Sequence, residues 1–310
     1  MRRGIKIFWI VIGSIFALGL ALAIIGFALG ASGRAWLDST GMHFGNQETT
    51  TSVLADSASD SFRNIDVTLI EADVEIIVAS DYGYEFTYRG SNVPEVSVSN
   101  GTLKVVEKSV INNWTLNIFG SWNFFETSSR LKVFVPADAA LDVVSISTAS
   151  GATVLNNRQI EIRKLVCQSA SGDVRLSDLS LEQLNLDVAS GDIEMHNVSA
   201  NDVRITMMSG SLTANAVKYR NLKLDLASCD IDIQGEISDQ LNINMLSGNV
   251  KIRLTGNPDD YSYEVTNLSG DVRINGRSMG FGTGIFETSS GRSSYIVINT
   301  TSGDVDISFK

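Results

Sequence analysis

The sequence predicts an all-β fold: a parallel β-helix or β-roll solenoid of about 19-residue coils, preceded by one N-terminal transmembrane helix. Three observations predict it. Ser171, Ser190, Ser209, Ser228 and Ser247 stand 19 residues apart, the first two open Ser-Gly-Asp, and the other three open one-residue variants of it. Apolar residues alternate with polar ones on both sides of each turn, which is the period of a strand and not of a helix. Near the start, the 27 positions between Lys6 and Arg34 hold no charged residue.

That uncharged run comes first in the chain. About 20 apolar residues suffice to cross a bilayer as a helix, so residues 1–31 are expected to be a cytoplasmic tip and a transmembrane anchor. A cleaved signal is the alternative, because small residues at Ala28, Gly30 and Ala31 would suit a cleavage site. Arg2, Arg3 and Lys6 precede the run, so the positive-inside rule places the N-terminus in the cytoplasm and the remainder outside. Gly26 and Gly30 form a G-x-x-x-G pair, a spacing that is also common by composition in membrane helices. Residues 32–60, rich in Ser, Thr, Gly and Asp, read as a flexible stalk.

The solenoid is expected over 61–310, with an irregular N-terminal cap region at 61–135 and regular coils plus a C-terminal cap at 136–310. Short alternating runs in the cap include Ile65–Leu69, Val74–Val78 and Leu131–Val135. In the coils, apolar residues stand six and four positions before the serine, as with Leu184 and Leu186 or Leu241 and Ile243. They stand again three and five positions after it, as with Ile193 and Met195 or Val250 and Ile252. A single unit cannot bury this edge, whereas stacked units can, about 4.8 Å apart, with two main strands per coil. Ser171-Gly172-Asp173, Ser190-Gly191-Asp192, Ser269-Gly270-Asp271 and Ser302-Gly303-Asp304 are then structural turns. Residues 276–294 interrupt the rhythm, and Tyr295–Lys310 is expected to supply the final coil.

Composition narrows the function. Net charge is −11, hence −14 without Arg2, Arg3 and Lys6, a surface that repels nucleic acid. Cys167 falls on an inward position of its coil, and Cys229 lies three coils away, about 14 Å, too far for a disulfide. His43 and His196 have no Cys or His neighbours at ligand spacing, so no metal site or cofactor is expected.

Asp73-Val-Glu-Ile, the Leu131–Pro136 strand and the Ser-Gly-Asp-Val repeats resemble the bacterial putative-adhesin β-helix family, of unknown function, which includes LiaG-like and YvlB-like envelope proteins. The resemblance covers about residues 60–310. It implies a membrane-tethered envelope protein, sometimes associated with envelope stress, and it supplies no catalytic residues.

Candidate sites are few. The turn aspartates Asp173, Asp192, Asp230, Asp271 and Asp304 would stack into a column, but Ser211 and Asn249 interrupt it, which suits a structural turn better than a calcium site. Trp114, Phe119, Trp122, Phe124 and Phe125 form the best candidate for an interaction patch, with a lid over the first coil as the alternative. Ser129 and Lys132 match S-x-x-K but lead into a strand, where that motif has no catalytic context. The reading is a non-catalytic, membrane-tethered extracytoplasmic scaffold, adhesin-like or an envelope-stress accessory. Its expected partners are the membrane, through the N-terminal helix, and an envelope protein or wall polymer; no nucleic acid is expected, and oligomeric state is left open. The alternative is a carbohydrate-active β-helix enzyme acting on envelope polysaccharide.

Overall fold

The computed structural model describes residues 34–38, 41–44, 51–56, 60–89, 93–107, 114–117, 129–156, 159–281, 284–287 and 294–310. They are almost entirely strand, with one short 3-10 turn at Pro258–Asp260. Two units are present. The small one is an antiparallel three-stranded sheet in the order Gly41–Phe44, Arg34–Asp38, Trp114–Asn117. The large one is the parallel solenoid. The expected membrane helix lies outside the described residues; among those described, no helix is long and apolar enough to cross a membrane.

Stacking follows the 19-residue register closely. Leu165, Cys167 and Ser169 pair with Leu184, Leu186 and Val188, and these in turn with Val203, Ile205 and Met207. All of them are buried. The core is therefore a set of columns, each filled by one residue per coil. Burial of one such aliphatic side chain contributes about 1.5–3 kcal/mol, and the columns stand against the backbone entropy of ordering every coil.

The coil has three paired stretches, not the expected two. Between neighbouring coils the pairing lapses at Asp178 and again at Glu182, which leaves stretches at 174–177, 179–181 and 183–190. Asp178, Asn197 and Ala216 take the first of these corners with φ near +55°. Asp and Asn tolerate that left-handed conformation better than most residues, so the corner carries no uniform glycine signature, although Gly235 stands there in the next coil. Two further inward columns result, one at Val188, Met207 and Leu226, the other at Leu181, Ala200 and Tyr219.

Coil order in space differs from order in sequence at both ends. The strand Ser294–Ser302 pairs on one side with residues 240–247 and on the other with Tyr261–Asn267. Val305–Phe309 is likewise held between Val250–Leu254 and Asp271–Ile274. The last coil of the chain is thus the penultimate coil of the stack, a correction to the expected order. Its cause is local: Asn275-Gly276, with φ of +50° and +73°, turns the chain into a hairpin that places Arg277–Phe281 antiparallel on Asp271–Ile274. That hairpin occupies one edge of the strand, and the C-terminal coil fills the other. At the opposite end, Asn64–Ala79 lies inside Thr102–Val106 and Ser129–Pro136. Asn100-Gly101 makes the matching hairpin there, with Glu95–Ser99 antiparallel to Thr102–Val106.

Aromatic rings close each end of the core. Phe62 packs edge-on to Tyr82 with centroids 4.8 Å apart, and Phe86 lies 5.9 Å from Tyr88. At the other end Phe309 sits 5.0 Å from Tyr261 and 5.9 Å from Tyr263.

Candidate functional site

The Ser-Gly-Asp turns stack in a column, and their side chains bond from coil to coil along it. The Asp173 carboxylate accepts from the Asp192 N–H at 3.1 Å, and that of Asp192 accepts from the Ser211 N–H at 2.9 Å and its hydroxyl at 2.7 Å. Asp230 accepts from the Asn249 N–H at 2.9 Å, Asn249 from the Asp304 N–H at 3.2 Å, and Asp304 from the Asp271 N–H at 2.9 Å. Even Asp73 in the first full coil accepts from the Ala152 N–H at 2.9 Å. Ser211 and Asn249, which interrupt the acidic run, remain part of the hydrogen-bonded ladder. The hydroxyl and N–H of Ser211, helped by nearby Arg175, hold the Asp192 carboxyl below the usual carboxylate range. Among the described residues no group of three or more His, Cys, Asp or Glu side chains could hold a metal ion.

Glycine at the second turn position is required by the neighbouring coil. A Cβ at Gly191, where φ is +141°, would stand 2.3 Å from the Gly172 carbonyl oxygen. Cys229, at the equivalent place in its own coil, avoids the left-handed region and buries its side chain. Both cysteines are free, and burial pushes the Cys167 thiol up to about 12.

The other sequence candidates are placed as follows. Trp114 lies on a strand opposite Leu37 in the small sheet, whereas Phe119, Trp122, Phe124 and Phe125 lie outside the described residues. Ser129 and Lys132 lie on the strand Ser129–Pro136, and the Lys132 ammonium donates to Glu85 Oε1 at 2.8 Å. His196 is exposed.

Two surface grooves that the sequence reading missed lie along one side of the coils. One, of about 580 Å³, runs past Thr206, Asp225, Asn244, Thr266 and Asn299 and is edged by exposed Met208, Leu246 and Leu268. The other, of about 370 Å³, is lined by Gln183, Asn185, Asp202, Arg204, Asn221, Lys223, Gln240 and Asn242. The signal was available in the repeat. Positions seven and five residues before each serine line the second groove and positions three before it line the first, and reading them as columns brings these side chains together.

Within this region Asp225 is the most engaged carboxylate. It accepts from Asn244 Nδ2 at 3.0 Å and faces Arg204 at 3.0 Å and Lys223 at 3.5 Å. The Asn244 amide, with these two cations, holds its carboxyl below the usual range. Asn221 donates to Asp202 Oδ1 at 2.8 Å.

A family model described as Toastrack DUF4097 matches residues 62–308. None of the curated proteins compared matches the chain. Among solved structures, a putative adhesin from Parabacteroides distasonis ATCC 8503 is 14% identical, with 84% of this chain and 97% of that one covered and a TM-score of 0.42. A putative adhesin from Parabacteroides merdae ATCC 43184 is 15% identical over 86% and 98%, with a TM-score of 0.39. A putative lipid binding protein from Parabacteroides distasonis ATCC 8503 is 14% identical over 82% and 96%, with a TM-score of 0.33.

Proposed function

The chain belongs to the Toastrack DUF4097 family, and from that premise we propose that it is a non-catalytic, adhesin-like scaffold, tethered to the cell membrane by residues 1–31 and facing outward. The observation that carries this reading is the turn ladder. Its aspartates, the most regular chemical feature of the sequence, accept hydrogen bonds from the backbone of the next coil and so hold a rod together. Continuous core columns and closed ends add rigidity. The uncharged run from 7 to 33, with its cations at the front, supports the tether and its orientation.

Bacterial cells expressing the full chain, with the outer membrane removed where there is one, test the proposal by protease treatment and fractionation. The solenoid should be shaved from intact protoplasts while an N-terminal tag stays protected and membrane-bound after alkaline extraction. A soluble full-length chain, or a solenoid protected until lysis, would refute the tethered, outward-facing arrangement.

A further inference from the structure

We propose that the polar groove between Gln183 and Asn242 is a binding site for a neutral oligosaccharide. The inference deepens the scaffold reading, since it supplies what an outward-facing rod would hold.

The argument begins with amide pairing. In a stack of equivalent coils an outward Asn or Gln has a ready partner one coil away, and many on this molecule use it. Asn197 donates to Asp178, Asn221 to Asp202, Asn244 to Asp225, and Asn299 to Asn244. Gln183, Asn185, Gln240 and Asn242 have side chains with no such bond. The Asn242 Oδ1 is even shielded from solvent without a partner. All four line the same groove.

Their placement is regular. Gln183 and Asn185 belong to the Ser190 coil, and Gln240 and Asn242 to the Ser247 coil, three coils or about 14 Å further along. Between them Asn221 donates to Asp202, while Arg204 and Lys223 lean to Asp225. The centre of the groove is thereby neutralised, and unspent donor and acceptor pairs remain at both ends. Beneath lie the buried side chains Val203 and Leu222. The next residue in the outer column after Gln240 is its strand partner Tyr295, 44% exposed, with its hydroxyl fixed on Glu264 at 2.9 Å. A ring held this way offers a flat apolar face beside the amides.

This chemistry selects the ligand. An amide donates and accepts through one planar group, which matches neighbouring hydroxyls that do both. A peptide would need an open strand edge or apolar pockets, and here the strands beneath are paired on both sides. Anionic polymers are disfavoured by the charge of −11. The span between the two amide pairs suits a short oligosaccharide and exceeds a single sugar.

Calorimetric titration of the full chain in detergent with chitopentaose, cellopentaose and mannopentaose tests the proposal, with a neutral Gly-Ser peptide beside them. At least one sugar should bind and the peptide should not. The double variant Gln183→Ala/Gln240→Ala should weaken that binding at least tenfold and Tyr295→Ala several-fold, with thermal midpoints near wild type. Asn201→Ala, an exposed amide outside the groove, should leave it unchanged. Absence of binding by all three sugars, preference for the peptide, or indifference to the groove variants would each overturn the site. Those results leave membrane topology untouched, and wrong topology in the shaving experiment leaves this titration valid, so the two readings fail separately.

Discussion

At the scale of single residues, the stack punishes changes that a lone turn would tolerate. Gly191→Ala combines φ of +141° with a Cβ only 2.3 Å from a backbone oxygen of the next coil. Strain and overpacking of this kind each cost about 1–3 kcal/mol, so the variant should lose roughly 3 kcal/mol or more in urea unfolding. Gly101→Ala, with φ of +69° and open space around the new methyl, should lose only the roughly 1–2 kcal/mol of a left-handed residue. Equal losses would mean that the carbonyl column does not confine the turn. Acid should act on this ladder at Asp192 and, on the outer face of the coils, at Asp225. Asp192 and Asp225 titrate below the ordinary carboxylate range in the folded state. The stability they contribute is therefore complete above the unfolded value of about 3.9 and is lost as pH falls from there through their lowered folded values. Asp192→Asn keeps an acceptor for Ser211 but does not titrate. Its thermal midpoint should lie below wild type near neutrality and converge with it in acid, because only the wild type loses a charged acceptor as pH falls; parallel acid limbs would remove Asp192 from the account.

At the scale of elements, the sequence showed the parts that repeat and hid those that occur once. Alternation around Ser190 or Ser247 reveals inward positions directly, because each column repeats the same apolar choice in successive coils. The corner at Asp178, Asn197 and Ala216 was less legible, since Asp, Asn and Ala share no simple pattern although their φ values nearly coincide. Asn100-Gly101 and Asn275-Gly276 were readable as hairpin turns on local chemistry alone. What the sequence did not reveal is that each would cap one end of the solenoid. The groove lay at the limit of legibility. Its residues occupy outward positions in four coils, yet whether an outward amide bonds to its neighbour or stays unspent depends on side-chain geometry, as Asn221 and Gln183 illustrate.

At the scale of the whole solenoid, the exchange of coil order changes how its ends come apart. Repeat proteins behave as nearly one-dimensional stacks, and a terminal repeat frays because it releases a free tail. Here the terminal coils, Thr102–Val106 with Ser129–Pro136 at one end and Tyr261–Asn267 with Asp271–Ile274 at the other, are internal in sequence. Detaching the second frees only a closed loop, because residue 254 and residue 295 both stay fixed in inner coils. A closed loop gains less entropy than a tail of equal length. Amide exchange in Asp271–Ile274 should therefore be slowed to nearly the level of the central coils. A protease site inserted at the exposed Asn275-Gly276 turn removes this constraint after cleavage, while the other contacts remain. Exchange in Asp271–Ile274 should then accelerate while that in residues 184–188 stays unchanged. If cleavage leaves the terminal strand as protected as before, its protection comes from side-chain packing around Tyr261, Tyr263 and Phe309, not from the path of the chain.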